Sequence, residues 1–550
     1  MGFEKITQTS NHGPNRPAAL RWLARIVAVL AALSLLSGLA ARRAAAQETE
    51  PSKITIADIT DFHGHIEQGP WIADQLGRVR EYNPGNTVAV SAGDLVGGSP
   101  YESALHKDEP TLAMAKAWGL TISAMGNHEL DRGVKDFNDR IASKSHGIEW
   151  LAANVRKTGP NGIGNLRDYT IRMVAGKRVA FVGAVTDHLG SVLSRSVMRN
   201  VRLDESAVTA VNRVADRLSD GDESNGEADV VVALIHDDAD LVAKDPVGLD
   251  ANVDLVYAGH THAVKTDRRT ASGAPIIEAG CFGRYVAVQD LMVSGSGRQS
   301  QVSVSNSFGG PLVGDWPSST DPAKVVSAVQ TTISPTDAVE SILRRADASA
   351  RRAGDVVVSS VPQRYDRTDK ADRDPKTGRI ALYTLIADAA LDGARRTTEG
   401  AHARVGFVNP GSLRTQALDL DGDGFVTVRE ASDMMALQFD NAVVTLDGAT
   451  LRRAIAQQWH RDDEGHWRSG QLGVSSNVTW TMDLDGDEPK VLDLKVDGRP
   501  VADGERITVA GNSFLLTGGD GYRAFLRGTG YADTGVPYAR TLIDFLRSHD

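Results

Sequence analysis

Between residues 53 and 308 the chain alternates short apolar runs with segments of helical character. Six of the runs, quoted with the residues that follow them, are KITIADITDFH, NTVAVSAGD, LTISAMGNHE, RVAFVGAVTDH, ADVVVALIHDD and VDLVYAGHTH. Strands that alternate with helices are typical of α/β proteins. The pattern therefore predicts an α/β domain built on a layered sheet over residues 50–308.

The pattern changes beyond residue 308. Residues 309–320, GGPLVGDWPSST, are rich in Gly, Pro and Ser and indicate a boundary. A polar segment with several alanines follows and predicts a connecting helix, so residues 309–353 are interpreted as a linker. Residues 354–550 contain further strand patterns and a Gly-rich turn near Gly518, and they predict a second domain.

The N-terminus has its own pattern. The apolar run Ile26–Ala41 follows three arginines and precedes an alanine triplet at residues 44–46. This predicts a secretory signal peptide over residues 1–46 and export to the periplasm, cell envelope or extracellular space. An uncleaved anchor is the alternative, because Arg42 and Arg43 stand between the run and the triplet. No later segment reaches the ~18 apolar residues that span a bilayer.

Composition narrows the class of protein. The chain is 41% hydrophobic and 24% charged, as expected of a soluble globular protein. Its net charge of -11 argues against binding a nucleic-acid polymer, which needs clustered basic surface. Cys281 is the only cysteine, which excludes an intrachain disulfide, and its apolar surroundings in the sequence favour a buried structural thiol.

Five of the apolar runs lead into residues of types suited to binding metal ions. The residues are Asp61 and His63 after the first run, Asp94 after the second, Asn127 after the third, His236 after the fifth, and His260 and His262 after the sixth. Active sites collect at the carboxyl ends of strands, and alternate residues of an extended segment point the same way. Carboxylate, imidazole and amide ligands suit Mn²⁺, Zn²⁺, Fe²⁺ or Co²⁺. Seven ligands are enough for two ions, with Asp94 as the natural bridge.

A single His or Asp after a strand is a weak signal, and Asp187 and His188 end another run without partners. The order of D-x-H, GD, GNHE, an isolated His and GHTH is the specific feature. In this order the motifs resemble the calcineurin-like metallophosphoesterases. With the second domain, they resemble the two-domain 5′-nucleotidase family, which includes bacterial periplasmic UDP-sugar hydrolases. The resemblance implies a layered β-sandwich flanked by helices, followed by an α/β substrate-binding domain.

The resemblance also implies roles for individual residues. Asp61, His63 and His262 bind the first metal ion, Asn127, His236 and His260 bind the second, and Asp94 bridges the two. His128 and Asp131 match the catalytic dyad of the motif GNHE-x-D. Chemistry supports this dyad, because a carboxylate that accepts from one ring nitrogen fixes the tautomer and favours the imidazolium.

In the second domain, three segments resemble the substrate-binding motifs of the family. Their residues are Asn409 and Arg414 in NPGSLR, Phe439 in LQFDNAVV, and Phe514 and Asp520 in NSFLLTGGDGY. Two facing rings would stack on a nucleobase, at ~1–3 kcal/mol per stacked base. The alternative for both rings is core packing. Arg379 is a further candidate, although it does not fall in register with the family's arginine.

Three departures from the family pattern make the nucleotide preference less certain than phosphoester hydrolysis. Ser412 replaces a glycine of the arginine loop, Gln438 replaces the proline before Phe439, and Tyr383 replaces the glycine of a helix motif.

One acidic loop is not explained by the family. DLDGDGFVTVRE fits the calcium loop D-x-[DN]-x-[DN]-G-x5-E. The positions that would bind Ca²⁺ are Asp419, Asp421, Asp423, Phe425, Thr427 and Glu430. A structural Ca²⁺ site and a solvated acidic turn are both open. The acidic run DLDGDE at residues 483–488 lacks the Gly and the closing Glu, and no ion is expected there.

We therefore expect an exported phosphohydrolase with two divalent transition metal ions that releases phosphate from small nucleoside 5′-monophosphates. A UDP-sugar or nucleoside diphosphate hydrolase and a 2′,3′-cyclic nucleotide phosphodiesterase are alternatives. A catalytically inactive, Ca²⁺-stabilised binding protein of the cell envelope is an alternative of another class. The oligomeric state does not follow from the sequence.

Overall fold

The computed structural model describes residues 51–157, 162–193, 195–306, 312–313, 337–361, 365–368, 379–437, 439–461 and 464–549. The predicted signal peptide lies outside these ranges, as does most of the predicted linker before Asp337. From Ser52 onward the described residues belong to one compact unit, which contains two domains.

The N-terminal domain is a sandwich of two sheets. Its described strands are β1 (Ser52–Asp58), β2 (Thr87–Ser91), β3 (Ile122–Ala124), β4 (Glu149–Leu151), β5 (Leu166–Arg167), β6 (Tyr169–Val174), β7 (Lys177–Val185), β8 (Val230–His236), β9 (Leu255–Ala258), β10 (Val264–Arg269), β11 (Pro275–Ala279), β12 (Val286–Ser294), β13 (Gln301–Asn306) and β14 (Leu312–Val313). One sheet has the order β13-β12-β1-β2-β3-β4-β5, with β14 also beside β12, and the other has the order β10-β11-β9-β8-β7-β6.

Parallel strands with both faces covered form the centre of each sheet. The strands β1 to β5 are parallel in the first sheet, and β7, β8, β9 and β11 are parallel in the second. Every residue of β8 is buried, because one face meets the other sheet and the opposite face meets helices. Continuous apolar runs are the signature of such strands. Ile56, Val90 and Leu234 belong to the fully buried layer between the sheets.

Helices cover the outer faces of the sandwich. They are α1 (Gly69–Tyr82), α2 (Tyr101–Ala104), α3 (Glu109–Ala117), α4 (Gly133–Asp136), α5 (Leu189–Val192), α6 (Arg195–Met198), α7 (Ala207–Arg217) and α8 (Ala239–Lys244). Leu76 of α1 packs against the first sheet and Val211 of α7 against the second.

Helix α9 (Asp337–Gly354) lies in the segment for which the sequence predicts a connecting helix, and its residues Val339 and Ala346 pack into the core of the first domain. The C-terminal domain follows. Its strands are β15 (Val357–Ser360), β16 (Ala403–Val408), β17 (Phe425–Thr427), β18 (Asp440–Asp447), β19 (Trp459–Arg461), β20 (Trp467–Ser469), β21 (Gly473–Val474), β22 (Val478–Asp483), β23 (Lys490–Val496), β24 (Arg499–Pro500), β25 (Arg506–Asn512) and β26 (Thr529–Pro537). Its largest sheet has the order β21-β16-β25-β18-β26.

Five helices complete the second domain: α10 (Ala381–Arg395), α11 (Val428–Met434), α12 (Gly448–Ala456), α13 (Ser513–Leu516) and α14 (Tyr538–Ser548). An ion pair of 2.5 Å joins Arg429 of α11 to Glu102 of the first domain. The predicted fold class, an α/β protein with a helix-flanked sandwich and a second α/β domain, is confirmed. Among the described residues, no helix is both long enough and apolar enough to span a membrane.

Candidate active site

Seven predicted metal ligands meet at one edge of the sandwich, where β1, β2, β3, β8 and β9 end. Five of them, Asp61, His63, Asp94, His260 and His262, have φ angles between 48° and 75°. This left-handed backbone costs ~1–3 kcal/mol per residue and collects at functional sites. The turns after the strands are therefore shaped by the site, at the expense of local stability.

The first group of ligands contains Asp61, His63 and His262. The Nε2 atoms of the two histidines lie 3.0 Å apart, and Oδ1 of Asp61 lies 3.9 Å from Nε2 of His63 and 3.6 Å from Nε2 of His262. One donor atom from each residue falls within 4.8 Å of the others. This spacing fits three ligands around one ion.

The second group contains Asp94, His236 and His260, whose donor atoms also lie within 4.8 Å of one another. Nε2 of His236 is 3.0 Å from Oδ2 of Asp94 and 3.2 Å from Oδ1 of Asn127. The same Oδ2 atom of Asp94 lies 3.7 Å from Nε2 of His63 in the first group. Asp94 therefore stands between the two groups, where the sequence predicts a bridging carboxylate.

Main-chain carbonyl groups orient two of the imidazoles. Nδ1 of His63 lies 2.7 Å from the carbonyl oxygen of Gly97, and Nδ1 of His236 lies 3.0 Å from that of Ala92. Each Nδ1 donates to its carbonyl, which leaves Nε2 facing the ligand group. Such hydrogen bonds fix the tautomer of histidines that bind metals.

Burial and neighbouring charges shift the pKa values of the ligands at this edge. Burial lowers the pKa of His260 to about 4 and that of His262 to about 3, so both imidazoles are neutral at pH 7. Burial also raises the pKa of Asp61 to about 7. For His236, burial opposes the charged form, but Asp94 outweighs it and raises the pKa to about 10. The carboxylates and the neutral imidazoles of His260 and His262 suit divalent cations.

Two glycines make room for ligands that come from other strands. A Cβ atom at Gly126, in GNHE, would lie 2.1 Å from Oδ1 of Asp94. A Cβ atom at Gly259, in GHTH, would lie 2.6 Å from Oδ2 of Asp61. Both distances are shorter than any contact a real Cβ atom makes. The glycine of each motif is therefore required by the ligand of a different motif.

Glu129 holds two of the ligand turns together. Its Oε1 atom accepts from the backbone N–H of Leu95 at 2.8 Å, and its Oε2 atom accepts from those of Gly126 at 2.7 Å and Asp94 at 3.1 Å. The side chain is buried. It joins the turn after β2 to the turn after β3, so Glu129 has a structural role at the site.

The predicted dyad lies beside the first ligand group. Nδ1 of His128 is 2.9 Å from Oδ2 of Asp131, and the rings of His128 and His63 are 4.9 Å apart. Burial disfavours the imidazolium of His128, but the charges of Asp131 and Asp94 outweigh it, so the pKa of His128 lies above 6.5. The backbone N–H of His128 donates to Oδ1 of Asp94 at 2.8 Å, which ties the dyad to the bridging carboxylate.

Arg414 reaches the metal ligands from the second domain. Its Nε atom would lie 3.5 Å from a Cβ atom on Gly98, next to His63. The Nε atom is buried and has no hydrogen-bond partner within the described chain. Burial lowers the pKa of His63 well below 6.5, and the Arg414 charge contributes to the shift. A buried N–H donor without a partner is costly, so an anion is a natural complement for the Nε atom of Arg414.

The other predicted substrate residues form two contacts in the second domain. Nδ2 of Asn409 donates to Asp520 at 2.6 Å, and Nδ2 of Asn512 donates to Oδ1 of Asn409 at 2.8 Å. The rings of Phe439 and Phe514 stack on each other, with centroids 5.2 Å apart and planes within 6°. A base between two rings needs about 7 Å. The rings must therefore separate before a base can enter.

A cavity of about 480 Å³ opens between the domains beside the dyad. Asp131 and Arg132 line it from the first domain, and Leu437, Phe439 and Tyr538 line it from the second.

Ser412, in the place of a family glycine, does not strain the arginine loop. It lies in a short helical turn, Pro410–Ser412, and its hydroxyl donates to the carbonyl oxygen of Asn409 at 2.8 Å. Its φ is not positive, so a side chain is tolerated there.

The structure does not bring Arg379 to the other substrate residues. Its guanidinium donates to the carbonyl oxygens of Val478 at 2.9 Å and Ser475 at 2.8 Å, and to that of Val474. Arg379 lines a different cavity, apart from Phe439 and Phe514. In this arrangement it stabilises the chain around β21 and β22.

The acidic loop is closed by its own side chains. Oδ1 and Oδ2 of Asp419 accept from the backbone N–H groups of Gly422 at 2.7 Å and Gly424 at 3.1 Å. Glu430 accepts from the N–H groups of Leu420 and Thr427, both at 2.9 Å. Donor atoms of Asp419, Asp421 and Glu430 lie within 4.8 Å of one another. Strand β17 lies within the loop, and helix α11 begins at Val428, before the loop ends at Glu430.

Sequence reasoning missed two supporting residues. Thr60 donates from Oγ1 to Oδ2 of Asp61 at 2.6 Å, and Asn512 orients Asn409. Both lie inside segments quoted for other residues, next to a ligand or at a strand end. A polar residue next to a ligand or at a strand end is a signal for a supporting role, although the sequence does not show which residue it hydrogen-bonds.

The fold and the site define a class of protein, the metal-dependent phosphoester hydrolases. The family model of the calcineurin-like phosphoesterases matches residues 54–264, and that of the 5′-nucleotidase C-terminal domain matches residues 356–527. The chain belongs to the family that joins these two domains, and the predicted family is confirmed. The family implies divalent metal ions, and the two ligand groups have the donor set for them.

Three known proteins illustrate the likeness. A cell wall protein of Listeria monocytogenes is 25% identical over 538 residues, which cover 88% of this chain but only 65% of that protein. A snake venom 5′-nucleotidase of Naja atra is 24% identical over 86% of this chain and 91% of its own. The crystal structure of a 5′-nucleotidase precursor from Thermus thermophilus has a TM-score of 0.62 at 17% identity, covering 90% of this chain and 96% of that one. At this identity, the structural likeness shows the fold alone.

Proposed function

We propose that the protein is a 5′-nucleotidase that hydrolyses nucleoside 5′-monophosphates to nucleoside and phosphate. The observation that carries this proposal is the position of Arg414, a half-buried cation with a buried, unpartnered Nε atom beside the metal ligands and the dyad. A phosphate placed between the ligand groups and Arg414 would be held on both sides by positive charge. A base attached to it would extend into the second domain, toward Phe439 and Phe514.

The two ligand groups would each hold one divalent ion, which supplies Lewis acidity and lowers the pKa of water for in-line attack on phosphorus. Arg414 would hold the phosphate oxygens through its planar fork of N–H groups. His128, kept as imidazolium by Asp131, would stabilise the charge that develops on the phosphoryl oxygens and give its proton to the departing 5′ oxygen of the ribose. Asp520 would accept from the ribose hydroxyl groups.

The proposed location is outside the cytoplasm. The apolar N-terminal run with its flanking arginines supports export, and the cell wall protein of Listeria monocytogenes is a relative with a matching location in its name. The acidic loop would bind a structural Ca²⁺ through Asp419, Asp421, Asp423 and Glu430, with the carbonyl of Phe425 and the position of Thr427 completing the loop. Its complete match to the EF-hand spacing supports this second metal proposal.

The test is phosphate release from 5′-AMP by residues 47–550, stripped with a chelator and assayed with and without Mn²⁺. Release restored by Mn²⁺ is the expected result. The variant His128→Gln should lose about 10²–10⁴ in kcat with Mn²⁺ still bound. The variant His188→Gln is the matched control, since His188 also follows a strand but lies on the surface.

A failure to release phosphate from 5′-AMP, with Mn²⁺ bound, would refute the monophosphatase proposal. Turnover of UDP-glucose or 2′,3′-cyclic AMP under the same conditions would then identify one of the alternative hydrolases. Absence of turnover with all of these substrates would favour a binding protein.

A further inference from the structure

A second cavity of about 250 Å³ lies within the C-terminal domain, apart from the predicted active site. None of the predicted metal ligands lines it, nor does either residue of the dyad or of the stacked phenylalanine pair. Its wall combines the start of helix α10, strand β21 and the hairpin formed by β19 and β20. Three tryptophans, Trp459, Trp467 and Trp480, contribute to it.

Two of the three indoles come from one hairpin, and the third, Trp480, comes from β22 of another sheet. In the hairpin, Trp459 pairs with Ser469, and Arg461 pairs with Trp467. Residues directly opposite in an antiparallel pair, and those two positions apart along a strand, share one face. The indoles of Trp459 and Trp467 therefore emerge on the same side of the hairpin, which is the side that carries Ser469.

Two indole N–H groups at this cavity lack acceptors. The Nε1 atoms of Trp459 and Trp467 are buried and have no hydrogen-bond partner within the described residues. Indole is only a donor, and a buried indole N–H usually has a partner. An unsatisfied buried donor costs ~1–3 kcal/mol. A ligand that fills the cavity must therefore present acceptor atoms to the wall.

The charge at the cavity is positive. Arg379 and Arg468 line it, whereas no Asp or Glu is among its described lining residues. Ile380 caps the 15-residue helix α10 without a side-chain hydrogen bond, and Ile380, Tyr383 and Thr384 of its first turn line the cavity. Helix N-termini favour negative charge. A ligand with a carboxylate would be attracted, and a cation would be repelled.

Size and polarity narrow the class of ligand further. The volume is below the roughly 300–1,000 Å³ of sites for drug-sized ligands, so the cavity suits a single ring rather than a complete nucleotide. Gln458 and Ser469, joined by a hydrogen bond of 3.0 Å, add an amide and a hydroxyl group to the aromatic wall. A sugar ring has an apolar face for indole and hydroxyl oxygens that accept from indole N–H groups.

We infer that this cavity is a binding site for one anionic sugar ring, of the hexuronate type. The sugar face packs on the tryptophans, ring oxygens accept from the Nε1 atoms of Trp459 and Trp467, and the carboxylate faces Arg468 and the start of α10. The ring comes either from a free monosaccharide or from the end of a glycan chain. The site is independent of phosphoester hydrolysis.

The test titrates the full, metal-loaded protein with sodium glucuronate, glucose and adenosine, and follows binding by calorimetry and saturation-transfer NMR. Glucuronate should bind saturably and more tightly than glucose or adenosine. The variants Trp459→Phe and Trp467→Phe keep an aromatic ring but remove one N–H donor each. Each should weaken glucuronate binding by about two- to tenfold, the loss of one hydrogen bond.

Two further variants separate local from general effects. Trp71→Phe, which removes an indole of the first domain, should leave binding unchanged. Arg468→Gln should weaken the binding of glucuronate and leave the binding of glucose unchanged. Circular dichroism and phosphate release check that each variant folds. If either Trp459→Phe or Trp467→Phe fails to fold, the other variant still tests the site.

Three results would overturn the inference: no saturable binding of glucuronate, tighter binding of glucose or adenosine, or glucuronate binding that neither hairpin variant weakens. A disaccharide that ends in glucuronate distinguishes the two sources of the ring. If it binds more tightly than the monosaccharide, a glycan end is the ligand. If it binds equally or less tightly, the free sugar is the ligand.

Discussion

Nδ1 of His128 and Oδ2 of Asp131 lie 2.9 Å apart, beside the two groups of metal ligands. This contact keeps the pKa of His128 above its usual value even though burial alone would lower it. The imidazolium, rather than the neutral ring, is the form that can give a proton to a leaving oxygen.

The variant Asp131→Asn should lower the pKa of His128, because the neutral amide no longer stabilises the charged ring. The charged fraction is then lost at a lower pH. We expect the falling, alkaline limb of the pH profile of kcat to move to lower pH, with kcat at neutral pH reduced by about tenfold or more. The measurement is the pH profile of kcat with 5′-AMP and saturating Mn²⁺, recorded for the unsubstituted protein and for Asp131→Asn. An unshifted alkaline limb would show that His128 is not the acid.

The variant Gly126→Ala should disturb the bridging carboxylate without removing any ligand. Its Cβ atom would lie 2.1 Å from Oδ1 of Asp94, so the two turns must move apart. We expect a loss of about 1–3 kcal/mol in the free energy of unfolding and about 10- to 100-fold weaker Mn²⁺ binding.

Gly77→Ala is the matched control for this variant. Gly77 lies in helix α1 with open space around a Cβ atom, so the substitution should stabilise the protein by about 0.5–1 kcal/mol. Denaturant unfolding and Mn²⁺ titration measure both variants. Equal Mn²⁺ affinities for the two variants would contradict the role given to Gly126.

Phe439→Ala should weaken the binding of substrates that carry a base. Loss of a stacked ring costs ~1–3 kcal/mol, which corresponds to a rise in KM for 5′-AMP of about 5- to 150-fold. Ribose 5-phosphate has the same phosphate ester but no base, and its KM should change little. Similar changes in KM for the two substrates would show that Phe439 packs in the core and does not contact the base.

Calcium should stabilise the protein if the acidic loop binds it. At a concentration of 100 times Kd, one bound ion adds about 2.7 kcal/mol to the free energy of unfolding. Asp421→Ala should abolish this gain, because Asp421 is exposed and its loss removes a ligand without opening the core. Asp485→Ala, in the acidic run without the calcium spacing, should retain it. Thermal unfolding of Asp421→Ala and Asp485→Ala, with Ca²⁺ or with a chelator, measures this stabilisation. If Ca²⁺ stabilises both variants equally, the ion binds at another place.

Much of the site could be predicted because its ligands lie in short segments after strands. The segment holding Asp61 and His63 and the segment holding His260 and His262 can each be recognised alone, and their order along the chain identifies the family. Strand ends in a parallel sheet meet at one edge, so proximity follows from local patterns. The same logic explains why an α/β domain with a layered sheet could be predicted from apolar runs, whereas the sandwich followed from the resemblance to the family.

Other features depend on which segments meet in space, and local patterns do not carry that information. Arg379 lies near substrate motifs in the sequence, but its guanidinium is engaged by carbonyl oxygens around β21. Phe439 and Phe514 could be predicted as a pair, yet their mutual stacking depends on how two loops pack. The indole N–H groups of Trp459 and Trp467 have no hydrogen-bond acceptor within the described residues, and no sequence motif distinguished these tryptophans from core residues.

The position of Arg414 has a consequence for any division of the chain. The N-terminal half holds all seven predicted ligands of the two transition metal ions, but the half-buried guanidinium of Arg414 beside them belongs to the other half. Expressed alone, the first half would bind metal ions and leave the phosphate without its arginine. Co-expression of the two halves as separate polypeptides would restore activity only by reassembly, so catalysis itself would report on whether the halves recognise each other.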